Sequence, residues 1–149
     1  MADQRPADDG TIHGEDRLYI RFRATDDSVV PLPGGVSRPM TGALLPRRKD
    51  EPISADLASV CTPGETRDRG GAVGPFHVAV VTVATARALG FRVTRDPILA
   101  GQDGGPNPAH VLLHGTQLAV DGNMKGAVKR REAELLARES RVADLPPTP

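Results

Sequence analysis

The stretch Phe76 to Val93, FHVAVVTVATARALGFRV, constrains the fold more than any other part of the chain. Val78, Ala79, Val80, Val81 and Val83 form a nearly unbroken apolar run rich in β-branched residues, the pattern of a central strand covered on both faces. Thr82 or Thr85 is placed to cap a short helix through Arg87, Ala88 and Leu89. Gly90 falls where a left-handed helix cap belongs. Phe91, Val93 and Arg95 then alternate with Arg92 and Thr94 until Pro97 blocks further pairing, which predicts a second, half-exposed strand. A helix this short is unusual as the crossover between adjacent parallel strands, so the pairing direction of the two strands stays open.

Other segments fall around this unit. In RLYIRFR (residues 17–23) Leu18, Ile20 and Phe22 alternate with Arg17, Tyr19, Arg21 and Arg23, predicting a strand with one core face and one arginine-lined face. Ile53, Ala55 and Leu57 alternate in the same way, and HVLLHG (residues 110–115) reads as a buried strand. Thr62-Pro63-Gly64-Glu65 is a capping-box sequence with proline at the first helical position, so a helix starts there; Gly70 and Gly71 keep it short. Residues 117–123 read as a turn. Met124 to Val142 is the longest helical candidate, with Val128, Leu135 and Val142 at seven-residue spacing and Leu136 and Ala137 widening the stripe.

Three segments lack a core-forming pattern. Residues 1–16 carry Asp3, Asp8, Asp9, Glu15 and Asp16 against Arg5 alone, and are expected to form a flexible acidic tail. Residues 25–52 form a long Pro/Gly-rich loop with only Val36 to Leu45 able to hold a short element, and a connection of that length is either functional or disordered. Residues 144–149 end in a disordered proline-rich tail. The expectation is one α+β domain over residues 17–143: a small mixed β-sheet of four to five short strands, short helices and a C-terminal helix.

Composition narrows the function classes. Nineteen basic residues balance nineteen acidic ones, so no global field draws the protein to nucleic acid or anionic lipid. The single Cys61 excludes an intrachain disulfide and a multi-cysteine zinc site. With sixteen arginines, three lysines and abundant alanine, glycine and proline, a bacterial source is expected. The first residues carry no apolar run of secretory type and no span of membrane length occurs, so a cytoplasmic protein without membrane association is expected.

The candidate chemistry is sparse. His110 and His114 would share a metal on a helix, but on a strand the same spacing separates them by roughly 13 Å, so no metal and no cofactor are expected. His77, His110 and Asp56, with Ser54 as a neighbour, are the candidate acid/base set, although no nucleophile elbow accompanies them. Arg21 and Arg23 are the candidate anion-binding pair. The glycines at 101, 104 and 105 match neither a P-loop nor a dinucleotide-binding spacing. Cys61, just before a helix start, reads as an inert, partly buried thiol. Arg47, Arg48 and Lys49 together with Lys125, Lys129, Arg130 and Arg131 form a candidate partner or nucleic-acid surface, with little aromatic interleaving for base stacking.

The segments ISADLASVCTPGET, VVTVATARALGFRVTRDP and NPAHVLLHG together resemble a group of small bacterial proteins over roughly residues 17–142, and that resemblance implies no activity. The expected function is therefore a non-enzymatic accessory protein acting through a protein partner or as a homo-oligomer, encoded beside that partner in a bacterial operon of defence or toxin type. One alternative is a small hydrolase or transferase with an arginine-lined anion site and a histidine acid/base. The other is a nucleic-acid-binding module.

Overall fold

The computed structural model describes residues 2–69, 74–100 and 106–145. In chain order these form β1 (Arg17–Arg23), β2 (Val29–Pro31), β3 (Ser37–Pro39), β4 (Ile53–Leu57), α1 (Pro63–Asp68), β5 (Phe76–Thr82), α2 (Val83–Ala88), β6 (Arg92–Arg95), β7 (His110–His114), β8 (Gln117–Leu118), β9 (Met124–Ala127), α3 (Arg130–Glu139) and β10 (Arg141–Val142). Six strands make the main sheet in the order β10-β5-β1-β4-β7-β6, and β2-β3 and β8-β9 are separate hairpins. The class is α+β. The sheet has six strands where four or five are expected from sequence, and every neighbouring pair in it is antiparallel.

The predicted strand, helix, strand unit explains that topology. β5 and β6 run in the same direction, but β1, β4 and β7 lie between them, so they never meet as parallel neighbours. Helix α2 packs against both β5 and β6. Thr82 Oγ1 accepts from Thr85 N–H at its start, and Gly90 takes φ +99° just beyond its end. At that φ a Cβ-bearing residue would be strained.

Alternation divides the sheet into two faces. Leu18, Ile20 and Phe22 of β1 share one face with Ala79 and Val81 of β5, Ile53, Ala55 and Leu57 of β4, and Val111 and Leu113 of β7. Val83 and Ala86 of α2, Phe91, and Ala133, Leu136 and Ala137 of α3 close over this face as the main core. The opposite face carries a smaller cluster of Tyr19, Val78, Ala109 and Cys61, with α1 packed on β1 and β5. The capping box is formed as the sequence dictates: Glu65 N–H donates to Thr62 Oγ1, and Thr62 N–H to Glu65 Oε1.

Three expectations change. Met124 to Ala127 is a strand, not the start of the last helix, because Gly126 adopts φ +108° against the His114 ring and the chain straightens there. The helix is confined to Arg130–Glu139, and its buried stripe is Ala133, Leu136 and Ala137. The 25–52 loop contains the β2-β3 hairpin, turned through Gly34 and Gly35 at φ +86° and +78°, and Leu44 is buried in the core.

The third change is at the N-terminus. Residues 2–16, expected as a flexible acidic tail, lie along the β6 edge and the β8-β9 hairpin. Asp9 N–H donates to Val93 O, Val93 N–H to Asp8 Oδ1, and Met124 N–H to Ala2 O. Asp3 pairs with Arg92 at 2.7 Å, Asp8 with Arg87 and Asp9 with Arg95, while Ile12 is buried in the main core. The Arg5 guanidinium holds the Asp3 carboxyl at about 2, well below the usual carboxylate range. At the other end, Ala143 N–H donates to Val78 O and Leu145 packs against the smaller cluster; the rest of the expected tail lies outside the described residues.

Candidate functional site

Two concavities hold most of the candidate residues. The first opens on the second face of the main sheet. The antiparallel register sets Tyr19 opposite Asp56 and Asp56 opposite His110, and residues of the same parity share a face, so Tyr19, Arg21, Ser54, Asp56 and His110 all project to that side. With Thr66, Arg69 and Asn107 they line a pocket of about 290 Å³. Asp56 is buried at its base. Its Oδ2 accepts from Thr66 Oγ1 at 2.8 Å and Arg69 Nη1 at 3.0 Å, and its Oδ1 from Asn107 Nδ2 at 2.8 Å. The carboxylate is thus held by one cation and two neutral donors.

Arg21 is positioned from two sides. Its Nη1 donates to Thr66 O at 3.1 Å and its guanidinium carbon lies 5.1 Å from the centre of the Phe76 ring. Partial desolvation is the largest influence on this group and lowers its pKa, with Asp56 opposing and Arg69 adding. His110 Nδ1 lies 2.9 Å from Asp96 O and 3.1 Å from Asp96 Oδ2. A carbonyl oxygen only accepts, so Nδ1 carries the proton and Nε2 is left with a lone pair in the neutral ring.

The second concavity is a groove of about 1110 Å³ between the 45–50 segment, the β8-β9 hairpin and the start of α3. Its apolar lining includes Leu45, Leu118, Val120 and Val128, of which Val120 is fully exposed. Arg47, Arg48, Lys49, Lys125 and Arg130 surround it, against Asp50 and Asp121. Arg48 pairs with Glu51 at 3.7 Å and Lys125 with Asp121 at 2.6 Å. Hydrogen bonding from Lys125 is the main reason the Asp121 carboxyl sits below its ordinary value. Among the described residues no ion pair engages Arg47, Lys49 or Arg130.

The candidate residues therefore separate. Asp56, His110 and Arg21 come together, as do the two basic clusters from opposite ends of the sequence. His77 does not join them: its register with Phe22 puts it on the opposite face, 5.5 Å from the Phe22 ring. One residue of parity decides that. Arg23 shares the face of Arg21 but lies at the strand end opposite Phe76, outside the pocket. Lys129 and Arg131 flank Arg130 without lining the groove. Thr66, Arg69 and Asn107 were missed by sequence reasoning, since nothing local marks a side chain that meets Asp56 from another element. Cys61 is buried, and desolvation first of all raises its pKa.

Among the described residues no group of three or more His, Cys, Asp or Glu side chains could hold a metal ion, and no helix is long and apolar enough to cross a membrane. Comparison with protein families, with curated proteins and with solved structures finds no match to this chain.

Proposed function

We propose that the chain is a non-enzymatic interaction protein whose groove between residues 45–50, the β8-β9 hairpin and α3 receives an acidic, amphipathic segment of a protein partner. The observation that carries this reading is the combination of an exposed apolar lining, centred on Leu118 and Val120, with five cations against two carboxylates. The cations steer and orient an acidic chain, and the apolar residues supply the area that holds it. Among the described residues no aromatic side chain lines the groove, which leaves a nucleic-acid base nothing to stack on and favours a protein partner over the nucleic-acid alternative. The small-enzyme alternative has weaker support: Asp56 is engaged by three donors, and among the described residues no hydrogen bond joins His110 to Asp56 or Ser54.

The test titrates the protein with a labelled helical peptide bearing leucines on one face and glutamates on the other. Expected are saturable binding that weakens with salt, loss of binding in Val120→Asp, and weakening by about tenfold or more in the double variant Arg47→Glu, Lys49→Glu. Equal binding of a lysine-faced peptide, or indifference to Val120→Asp, overturns the reading. Preferential binding of a single-stranded oligonucleotide replaces it with the nucleic-acid alternative.

A further inference from the structure

The pocket on the second sheet face is a separate feature, lined by none of the groove residues. Its polar groups fall into two sets. Asp56, Thr66 and Asn107 are bonded to one another or to Arg69, and their hydrogen bonds fasten α1 and the approach to β7 onto the sheet. Arg21, Arg69, Ser54, Tyr19 and His110 retain unspent capacity. Among the described residues Arg21 donates through Nη1 to Thr66 O, and Arg69 donates through Nη1 to Asp56. The Tyr19 and Ser54 hydroxyls have no partner among the described residues.

These leftover groups are mostly donors, and two of them are cationic. A guanidinium with a free edge matches a carboxylate by two parallel hydrogen bonds. Arg21 is already oriented by Thr66 O and the Phe76 ring, so binding costs less side-chain freedom than it would for an arginine extended into water. The acidic base of the pocket limits the charge it accepts. Among the described residues the lining sets two guanidinium groups, Arg21 and Arg69, against the single Asp56 carboxylate, which leaves a net charge of one and favours a monoanion over a doubly charged phosphate. His110 adds the complementary element, because its Nε2 lone pair is an acceptor for a ligand hydroxyl. The pocket volume of about 290 Å³ is at the small end for ligand sites, which suits a small molecule and not a nucleotide.

We infer that this pocket binds a small hydroxy-carboxylate, its carboxylate on the free edge of Arg21 with Arg69 alongside, and its hydroxyl donating to His110 Nε2. The site is one of recognition, and no bond is made or broken in it.

Glycolate, acetate, acetamide and inorganic phosphate serve as probes, each titrated into the full chain while backbone amide NMR shifts are followed. Glycolate is expected to give saturable shifts in β1, β4 and β7 with a dissociation constant on the order of a millimolar. Acetate binds several-fold more weakly, and acetamide gives no saturable shift. Arg21→Met is expected to abolish glycolate binding. Arg21→Lys, which keeps the charge and loses the fork, retains part of it and guards against a folding defect in the methionine variant. His110→Phe removes the preference for glycolate over acetate while acetate binding persists. Acetamide binding as well as glycolate, phosphate binding more tightly than glycolate, or unchanged glycolate binding in Arg21→Met each overturns the assignment. Val120→Asp is expected to leave these titrations unchanged, which separates this result from that of the groove.

Discussion

Asn107 Nδ2 donates to Asp56 Oδ1 at 2.8 Å across fifty-one positions of sequence, tying the segment before β7 to the C-terminal end of β4. Asn107 in turn fixes its own turn, its Oδ1 accepting from Ala109 N–H at 3.1 Å.

That bond belongs to a buried set with a charged centre, so the two partners are not equivalent. Asp56→Asn leaves Arg69 without its counter-ion and turns an amide N–H₂ toward at least one existing donor. A loss of about 3 kcal/mol is expected, whereas Asn107→Ala costs about 1–2 kcal/mol because it removes a neutral donor and leaves the Asp56–Arg69 ion pair in place. Urea unfolding of the two variants and of the double variant checks this. Equal losses would mean that the charge on Asp56 does not matter to the fold.

Glu132 joins the start of α3 to the strand turn after β7. Its Oε1 accepts from Lys129 N–H at 2.8 Å and from Thr116 N–H at 3.0 Å, while its Oε2 accepts from Thr116 Oγ1 at 2.8 Å. This leaves no room beside it. A Cβ on Gly115 would lie 2.6 Å from Glu132 Oε1, 2.8 Å from Val128 Cα and 2.9 Å from Ala127 O. Glu132→Ala is expected to cost about 2 kcal/mol, and Gly115→Ala about 1–3 kcal/mol by overpacking. In the double variant Gly115→Ala, Glu132→Ala the clash with the carboxylate is gone but the backbone clashes stay. Thermal unfolding should therefore show losses that sum to less than the two single ones.

His114 sets a pH dependence. Its Nε2 lies 2.9 Å from Thr94 Oγ1, and its Nδ1 is buried with no hydrogen-bond partner among the described residues. Burial is the main cause of its lowered pKa; the charges of Arg5 and Arg92 add to it, and Asp96 opposes. Protonation would place a cation and an orphan N–H in that packed site. Because the folded pKa is below the unfolded value of 6.5, the unfolded chain takes up the proton first, and stability falls as pH drops from about 6.5 through the folded pKa. The His114 ring protons should titrate below the unfolded value of 6.5 in NMR. The acid slope of the urea midpoint should flatten in His114→Asn.

Local chemistry made much of this fold legible. The β1 alternation, the Thr62 capping box and the Gly90 cap need only neighbours in sequence, and each is formed. The His77 and His110 positions show where that ends. Both read as polar strand residues, and only the β1-β5 and β4-β7 registers put one against Phe22 and the other over Asp56. Met124 to Ala127 misled because the helix read from Val128 and Leu135 was extended back across Gly126, which takes positive φ with no space for a Cβ beside the His114 ring. Likewise, the two basic clusters share a groove only because the β8-β9 hairpin brings Lys125 back toward the 45–50 segment, a tertiary fact that charge spacing does not carry.

The N-terminal segment offers the sharpest test of local against tertiary reasoning. Its acidic composition indicates a solvated tail, yet Ile12 is 1% exposed and packs in the main core. The partners that hold it are Arg87, Arg92 and Arg95, three arginines of the α2 and β6 region that have no acidic neighbours of their own before Asp96. The apolar anchor contributes more to stability than these exposed ion pairs, since surface pairs are worth little while deletion of a buried isoleucine leaves a cavity. Ile12→Ala should therefore destabilise the chain by about 2–5 kcal/mol in urea unfolding. Asp3→Asn should shift the midpoint far less and mainly at low salt. Amides of Asp9 and Val93 should exchange slowly with deuterium in the native chain and faster in Ile12→Ala, because the bonds they donate, to Val93 O and to Asp8 Oδ1, depend on the anchor. An unchanged midpoint in Ile12→Ala would return residues 2–16 to the solvated tail that their composition suggests.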